Sequence, residues 1–148
     1  MISIPNEMAI KHLRFSCGKG DVLFWKNFSG KEKSRDSYFV LLTGCVDNSF
    51  LVARATAQIQ YYFNGSFAKR IEHDIVFIKS GETQLFIKDT IIDLTWLRWF
   101  SVDQLAGLLG VNIEKRGRLS KDLVERINQD VKQAVTISER YQKIILQF

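Results

Sequence analysis

Phe50-Leu51-Val52-Ala53-Arg54-Ala55-Thr56-Ala57-Gln58-Ile59-Gln60 is the stretch whose reading decides the fold. Side chains alternate faces along a strand, so Arg54, Thr56, Gln58 and Gln60 share one side while Ala53, Ala55, Ala57 and Ile59 share the other. The small apolar side suits close packing in a core. The other side is a row of hydrogen-bonding groups with one cation. Two readings stand for that row: the solvated outer face of an antiparallel sheet, or a surface that grips a phosphodiester or a base edge.

Working outward, short segments of the same kind lie on both sides. Val22-Leu23-Phe24-Trp25 follows a turn at Gly18-Lys19-Gly20-Asp21 and reads as a strand. Residues 26–37 are polar and basic and read as a loop, and Phe39 to Leu42 reads as a buried strand closed by a turn over Gly44 to Ser49. Asn64-Gly65 marks another turn. Asp74 to Ile78 and Thr83 to Ile87 look like a hairpin about Ser80-Gly81, and Thr90 to Trp96 like a further strand. Five or six short strands with tight turns predict a small barrel or sandwich.

Helices flank these strands. Residues 2–15 predict a short N-terminal helix with Asn6 as its cap. Ser101, with Gln104 three residues on, opens a short helix that Gly110 ends. Val111 to Leu119 is a polar, basic stretch. Ser120 caps a last helix whose Leu123, Ile127, Val131 and Ala134/Val135 form one apolar stripe, with a bend at Val135-Thr136-Ile137. The fold class is therefore mainly β (α+β). It divides into an N-terminal extension over 1–19, a β unit over 20–100 and a helical C-terminal part over 101–148, all within one domain.

The chain has 148 residues, an apolar share of 46% and a charged share of 25%, which excludes disorder as its main state. No apolar run approaches the roughly 18 residues of a membrane span. The N-terminus interrupts its apolar residues with Glu7, Lys11, His12 and Arg14, so a cytoplasmic location is expected. Cys17 and Cys45 form no Cys-x-x-Cys, and His12 and His73 have no ligand-spaced partner. The phosphate-loop, His-Glu-x-x-His and dinucleotide motifs do not occur, so no metal or cofactor is expected. The net charge of +5 equals the excess within residues 11–35 alone, where seven cations face Asp21 and Glu32. Such a field draws polyanions, or simply solvates the surface. Lys31, Lys33 and Arg35 lie in this segment; a guanidinium there could grip phosphate through two hydrogen bonds.

In order along the chain, four features resemble the MazF/PemK-like toxins of type II toxin–antitoxin pairs. Gly20-Asp21-Val22-Leu23 is similar to the opening of their first strand. The basic loop running into Phe39-Val40-Leu41-Leu42 resembles their loop arginine and apolar strand. Ala55-Thr56-Ala57-Gln58-Ile59-Gln60 resembles their third-strand motif. Asp89 to Leu94 with Leu97-Arg98, then Gly117-Arg118-Leu119-Ser120 and the last helix, resemble their C-terminal half. The likeness spans roughly residues 20–135. It implies an SH3-like small β-barrel with C-terminal helices, assembled as a homodimer. It also implies metal-independent cleavage of single-stranded RNA, neutralised by a small antitoxin protein. The residues it assigns to catalysis are Arg35 and Thr56, with Lys33 as the alternative for the loop cation. Lys31, Lys33, Arg54, Gln58 and Arg98 would bind RNA. Two departures stand out: Asp36 replaces the proline that follows the loop arginine, and Asp93 and Thr95 stand where some members carry an arginine and an aspartate. A catalytically silent barrel that binds protein or nucleic acid is the other reading. Trp96, Leu97, Trp99 and Phe100 add an apolar surplus that a dimer interface would absorb.

Overall fold

The computed structural model describes residues 5–29, 34–59 and 74–148. Lys31, Lys33, Gln60, the Asn64-Gly65 turn and His73 lie outside them. The described residues form a mainly β α+β fold: α1 (Asn6–Ser16), β1 (Asp21–Ser29), β2 (Ser34–Leu41), β3 (Ser49–Thr56), β4 (Ile75–Ile78), β5 (Thr90–Ser101), α2 (Val102–Leu108), β6 (Ile113–Arg118), α3 (Lys121–Gln133) and α4 (Glu139–Leu146). The six strands are antiparallel, in the order β4-β5-β3-β2-β1-β6. Among the described strands β4 and β6 are edges, so the sheet is open there and the pairing does not close a barrel.

Each face of the sheet carries its own core. On one, Val22, Val40, Leu51, Ala53 and Ile92 pack against Leu123, Ile127 and Val131 of α3 and Ile145 of α4. The i+4 stripe read from the sequence is thus the buried face of α3, at roughly 1.5–3 kcal/mol for each such side chain taken out of water. On the other, Leu23, Trp25, Phe39, Leu41, Phe50 and Phe100 pack against Ala9 and Leu13 of α1 and Val102 and Leu105 of α2. The N-terminal helix is therefore part of the core.

A bulge between Trp25 and Phe28 builds this second core. Asn27 takes a left-handed φ of 58°, which asparagine tolerates. The extra residue brings Phe28 back to the face of Trp25 and Phe39, with ring centroids 4.9 Å from each. Trp96 and Phe100 complete the cluster, 5.4 and 5.2 Å from Phe39. Trp99 instead packs with the first core and donates to Tyr141 Oη at 3.2 Å. Of the apolar residues at 96–100, Phe100 is buried, whereas Trp96, Leu97 and Trp99 are partly buried against the two cores.

Several local expectations are corrected. Residues 26–37 are not a loop throughout: β1 runs to Ser29 and β2 begins at Ser34. Asn6 does not cap α1; Pro5 holds that position, and no side chain bonds the helix start. Thr83 to Ile87 is not a strand; β4 pairs with β5, and the segment between them is held by local bonds such as Ser80 N to Asp89 Oδ1 at 2.7 Å. Val111 to Leu119 contains β6, which pairs with β1. The last helix does not bend but breaks: Asp74 Oδ1 accepts from Val135 N at 2.9 Å, and Ser138 caps α4. The caps at Ser101 and Ser120 form as read, accepting from Gln104 N and Leu123 N at 3.0 and 3.3 Å.

The two glycine motifs meet. Asp21, fully buried, accepts from Gly18 N at 2.7 Å and from Arg118 Nε and Nη2 at 2.7 and 3.0 Å. Leu119 N donates to Gly20 O at 2.9 Å. Gly20 has a φ of 92°, and a Cβ there would stand 2.9 Å from Val124 Cγ2, so the turn needs glycine both for conformation and for room. The Asp21 carboxylate in turn raises the pKa of Arg118 above the usual guanidinium value, by hydrogen bonding first and by charge second.

Candidate functional site

The register of β2 against β3 sets the site. Phe39 pairs with Arg54 and Tyr38 with Ala55, the last pair of that ladder, and β3 ends one residue on, at Thr56. Alternation then gives Arg35, Ser37 and Phe39 of β2 the same face as Phe50, Val52, Arg54 and Thr56 of β3. This is the face of the second core, whose far end carries polar groups where the helices α1 and α2 no longer cover it.

Arg35 is exposed and pairs across β1 with Phe28, at the margin of the aromatic cluster. Its Nη1 donates to Gln58 Oε1 at 3.3 Å. Thr56 is half-buried, and its Oγ1 accepts from Gln58 N at 3.1 Å. Gln58 therefore links the two residues assigned to catalysis, with its amide to the arginine and its backbone to the threonine. Arg98 pairs with Val52, and its guanidinium lies 4.6 Å from the centroid of Trp96. Three arginines, Arg35, Arg54 and Arg98, thus share one face of three adjacent strands.

The aspartate in place of proline has a partner of its own. Asp36 Oδ1 accepts from Asn27 N at 3.0 Å and so closes the bulge of β1. Strand alternation turns Asp36 to the face opposite Arg35. A proline at 36 would fix φ but could not accept this bond.

A carboxylate does stand near the row, and the sequence reading missed it there. Asp93, 8% exposed, lies opposite Arg54 in the β3–β5 register. Its Oδ1 accepts from Thr95 N at 2.9 Å and from Thr95 Oγ1. A register shift between Ala53 and Arg54 makes the pairing: Ala53 faces Leu97, whereas Arg54 faces Asp93. The register sets residues nearly forty apart across from each other and depends on the bulge, so nothing local in the sequence signals it.

Thr56 also borders a cleft of about 450 Å³ between β3 and the 84–88 segment, with Lys88 and Arg116 among its lining residues. Arg35 does not line it. Arg35 and Thr56 meet through Gln58 on the arginine face, and the cleft beside Thr56 has other cations. Among the described residues, no group of three or more His, Cys, Asp or Glu side chains could hold a metal ion. No helix among them is long and apolar enough to cross a membrane. In comparisons with known proteins, no family model matches this chain and no curated protein matches its sequence.

Proposed function

We propose that the chain is a toxin-like, metal-independent endoribonuclease that cleaves single-stranded RNA in the cytoplasm. Its partners are a second copy of itself and a small neutralising antitoxin. The observation that carries the reading is the shared face of Arg35, Arg54, Thr56 and Gln58, with Arg35 bonded to Gln58 and not to Asp36. In the reaction a ribose 2′-oxygen attacks the adjacent phosphorus, its proton passes to an acceptor, and the 5′-oxygen leaves with a proton. Charge builds on the equatorial oxygens of the phosphorane. Arg35 meets that charge with two parallel N–H donors, and Thr56 holds the phosphate or its leaving oxygen through its hydroxyl. Arg54 and Arg98 bind neighbouring phosphates. The homodimer and the antitoxin rest on the family resemblance alone.

Asp93 opposite Arg54 favours a second reading, a catalytically silent scaffold that binds nucleic acid or protein, because a carboxylate there competes with phosphate for the cation. The two readings separate on variants. Removing a charge-stabilising donor costs on the order of a hundredfold to a thousandfold in rate. Arg35→Ala and Thr56→Ala should each lose cleavage by about that factor, while both keep a near-native thermal melt because neither residue is core. Native-like cleavage by both variants would reject the assignment.

A further inference from the structure

The cleft beside Thr56 has the make-up of a site for a small aromatic anion. Its volume of about 450 Å³ falls within the ordinary range of ligand pockets. Two aromatic rings line it, Tyr38 and Phe86, with centroids 5.8 Å apart, and Phe24, outside the lining, packs against Tyr38 at 5.1 Å. Arg116 lies over Phe24 at 4.6 Å from the ring centroid. Lys88 is a second cation on the lining, next to Ile87, which is 90% exposed. Gln84 and Thr90 add an amide and a hydroxyl. No aspartate or glutamate is among the described lining residues. Glu114 pairs with Arg116 at 2.8 Å, but both side chains are about half exposed, and such a pair yields readily to a better anion.

We infer that this cleft binds a nucleotide, with the base against the Tyr38–Phe86 wall and the phosphate between Lys88 and Arg116. Base–aromatic contact tolerates any base, and the amide of Gln84 can read a base edge. The same chemistry is offered by a free mononucleotide and by one unit of a single strand. The proposal deepens the ribonuclease reading and rests on it for the strand source, since Thr56 borders both the cleft and the arginine face.

The test is calorimetric titration of the intact protein with UMP, AMP, their nucleosides, inorganic phosphate and a 2′-O-methyl tetranucleotide that cannot be cleaved. Mononucleotides should bind saturably, and nucleosides and phosphate should bind roughly tenfold or more weaker, because each lacks one half of the recognition. Lys88→Glu with Arg116→Glu should weaken nucleotide binding by roughly tenfold or more and leave the melt near that of the parent, since both side chains are exposed. Equal affinity for mononucleotide and tetranucleotide identifies a free nucleotide as ligand; much tighter tetranucleotide binding identifies a strand unit. No saturable nucleotide binding, or binding unchanged in the double variant, overturns the proposal. Cleavage failing while nucleotides still bind removes the ribonuclease reading alone. Cleavage proceeding without nucleotide binding removes the cleft alone.

Discussion

Asp21 and Asp36 are both acids that a family resemblance brings to notice, and both turn out to have structural partners. Asp21 is buried among donors from Gly18 and Arg118, with Lys115 Nζ 3.5 Å away. Arg118 is half exposed, so its own charge is solvated; the carboxylate it faces is not. Arg118→Ala would leave that buried charge with weaker compensation and should cost about 3 kcal/mol, the low end for a broken buried pair because Lys115 remains. Urea unfolding measures this; a loss below about 1 kcal/mol would show that Gly18 and Lys115 suffice. The sequence made the pairing invisible, since Asp21 and Arg118 are far apart and each reads as an ordinary turn or basic residue. Arg54, Thr56 and Gln58 were legible because strand alternation alone places them on one side. Asp93 opposite Arg54 was not, because it depends on a bulge.

Strands with one branched or aromatic face were plain in the sequence: β1, β2, β3 and β5 all lie where such residues concentrate. β6 was hidden because Ile113-Glu114-Lys115-Arg116-Gly117-Arg118 has one fully buried side chain, as suits a charged edge strand. Gly117 there has a φ of 150°, which favours glycine, and a Cβ would also stand 2.7 Å from Leu85 Cδ2. The same segment that hides a strand also supplies Arg116 to the cleft. The 79–89 connection misled in the opposite sense, since Leu85 and Phe86 are apolar for packing and not for strand pairing. An ion pair ties that connection to α3: Arg126 Nη2 donates to Glu82 Oε1 at 2.7 Å, and Arg126 Nη1 donates to Phe77 O at 2.9 Å. The arginine holds the Glu82 carboxyl at about 2, below its ordinary 4.5. A pKa lowered on folding adds stability that is complete above the ordinary value and is lost as pH falls toward the folded one. The difference in melting temperature between the parent and Glu82→Gln should therefore be constant near neutral pH and shrink between pH 4.5 and about 2. A difference that does not change with pH would mean that the pair does not hold the connection.

At the scale of the whole molecule, the sheet separates two tasks. One face is covered by α3 and α4. The other is covered by α1 and α2 at one end and at its far end carries Arg35, Arg54, Thr56 and Gln58. The mainly β architecture with terminal helices was readable from strand and cap signals, whereas the coverage of both faces was not, because it depends on where helices dock. The central claim is that the arginine face cleaves RNA without a metal. It is tested most directly by incubating the purified full chain with mixed single-stranded RNA in excess chelator and determining the fragment ends. The account predicts cleavage that persists in chelator, gives fragments with 2′,3′-cyclic phosphate and 5′-hydroxyl ends, and disappears with Arg35→Ala. RNA left intact by the parent protein, or cut equally by the variant, would contradict it.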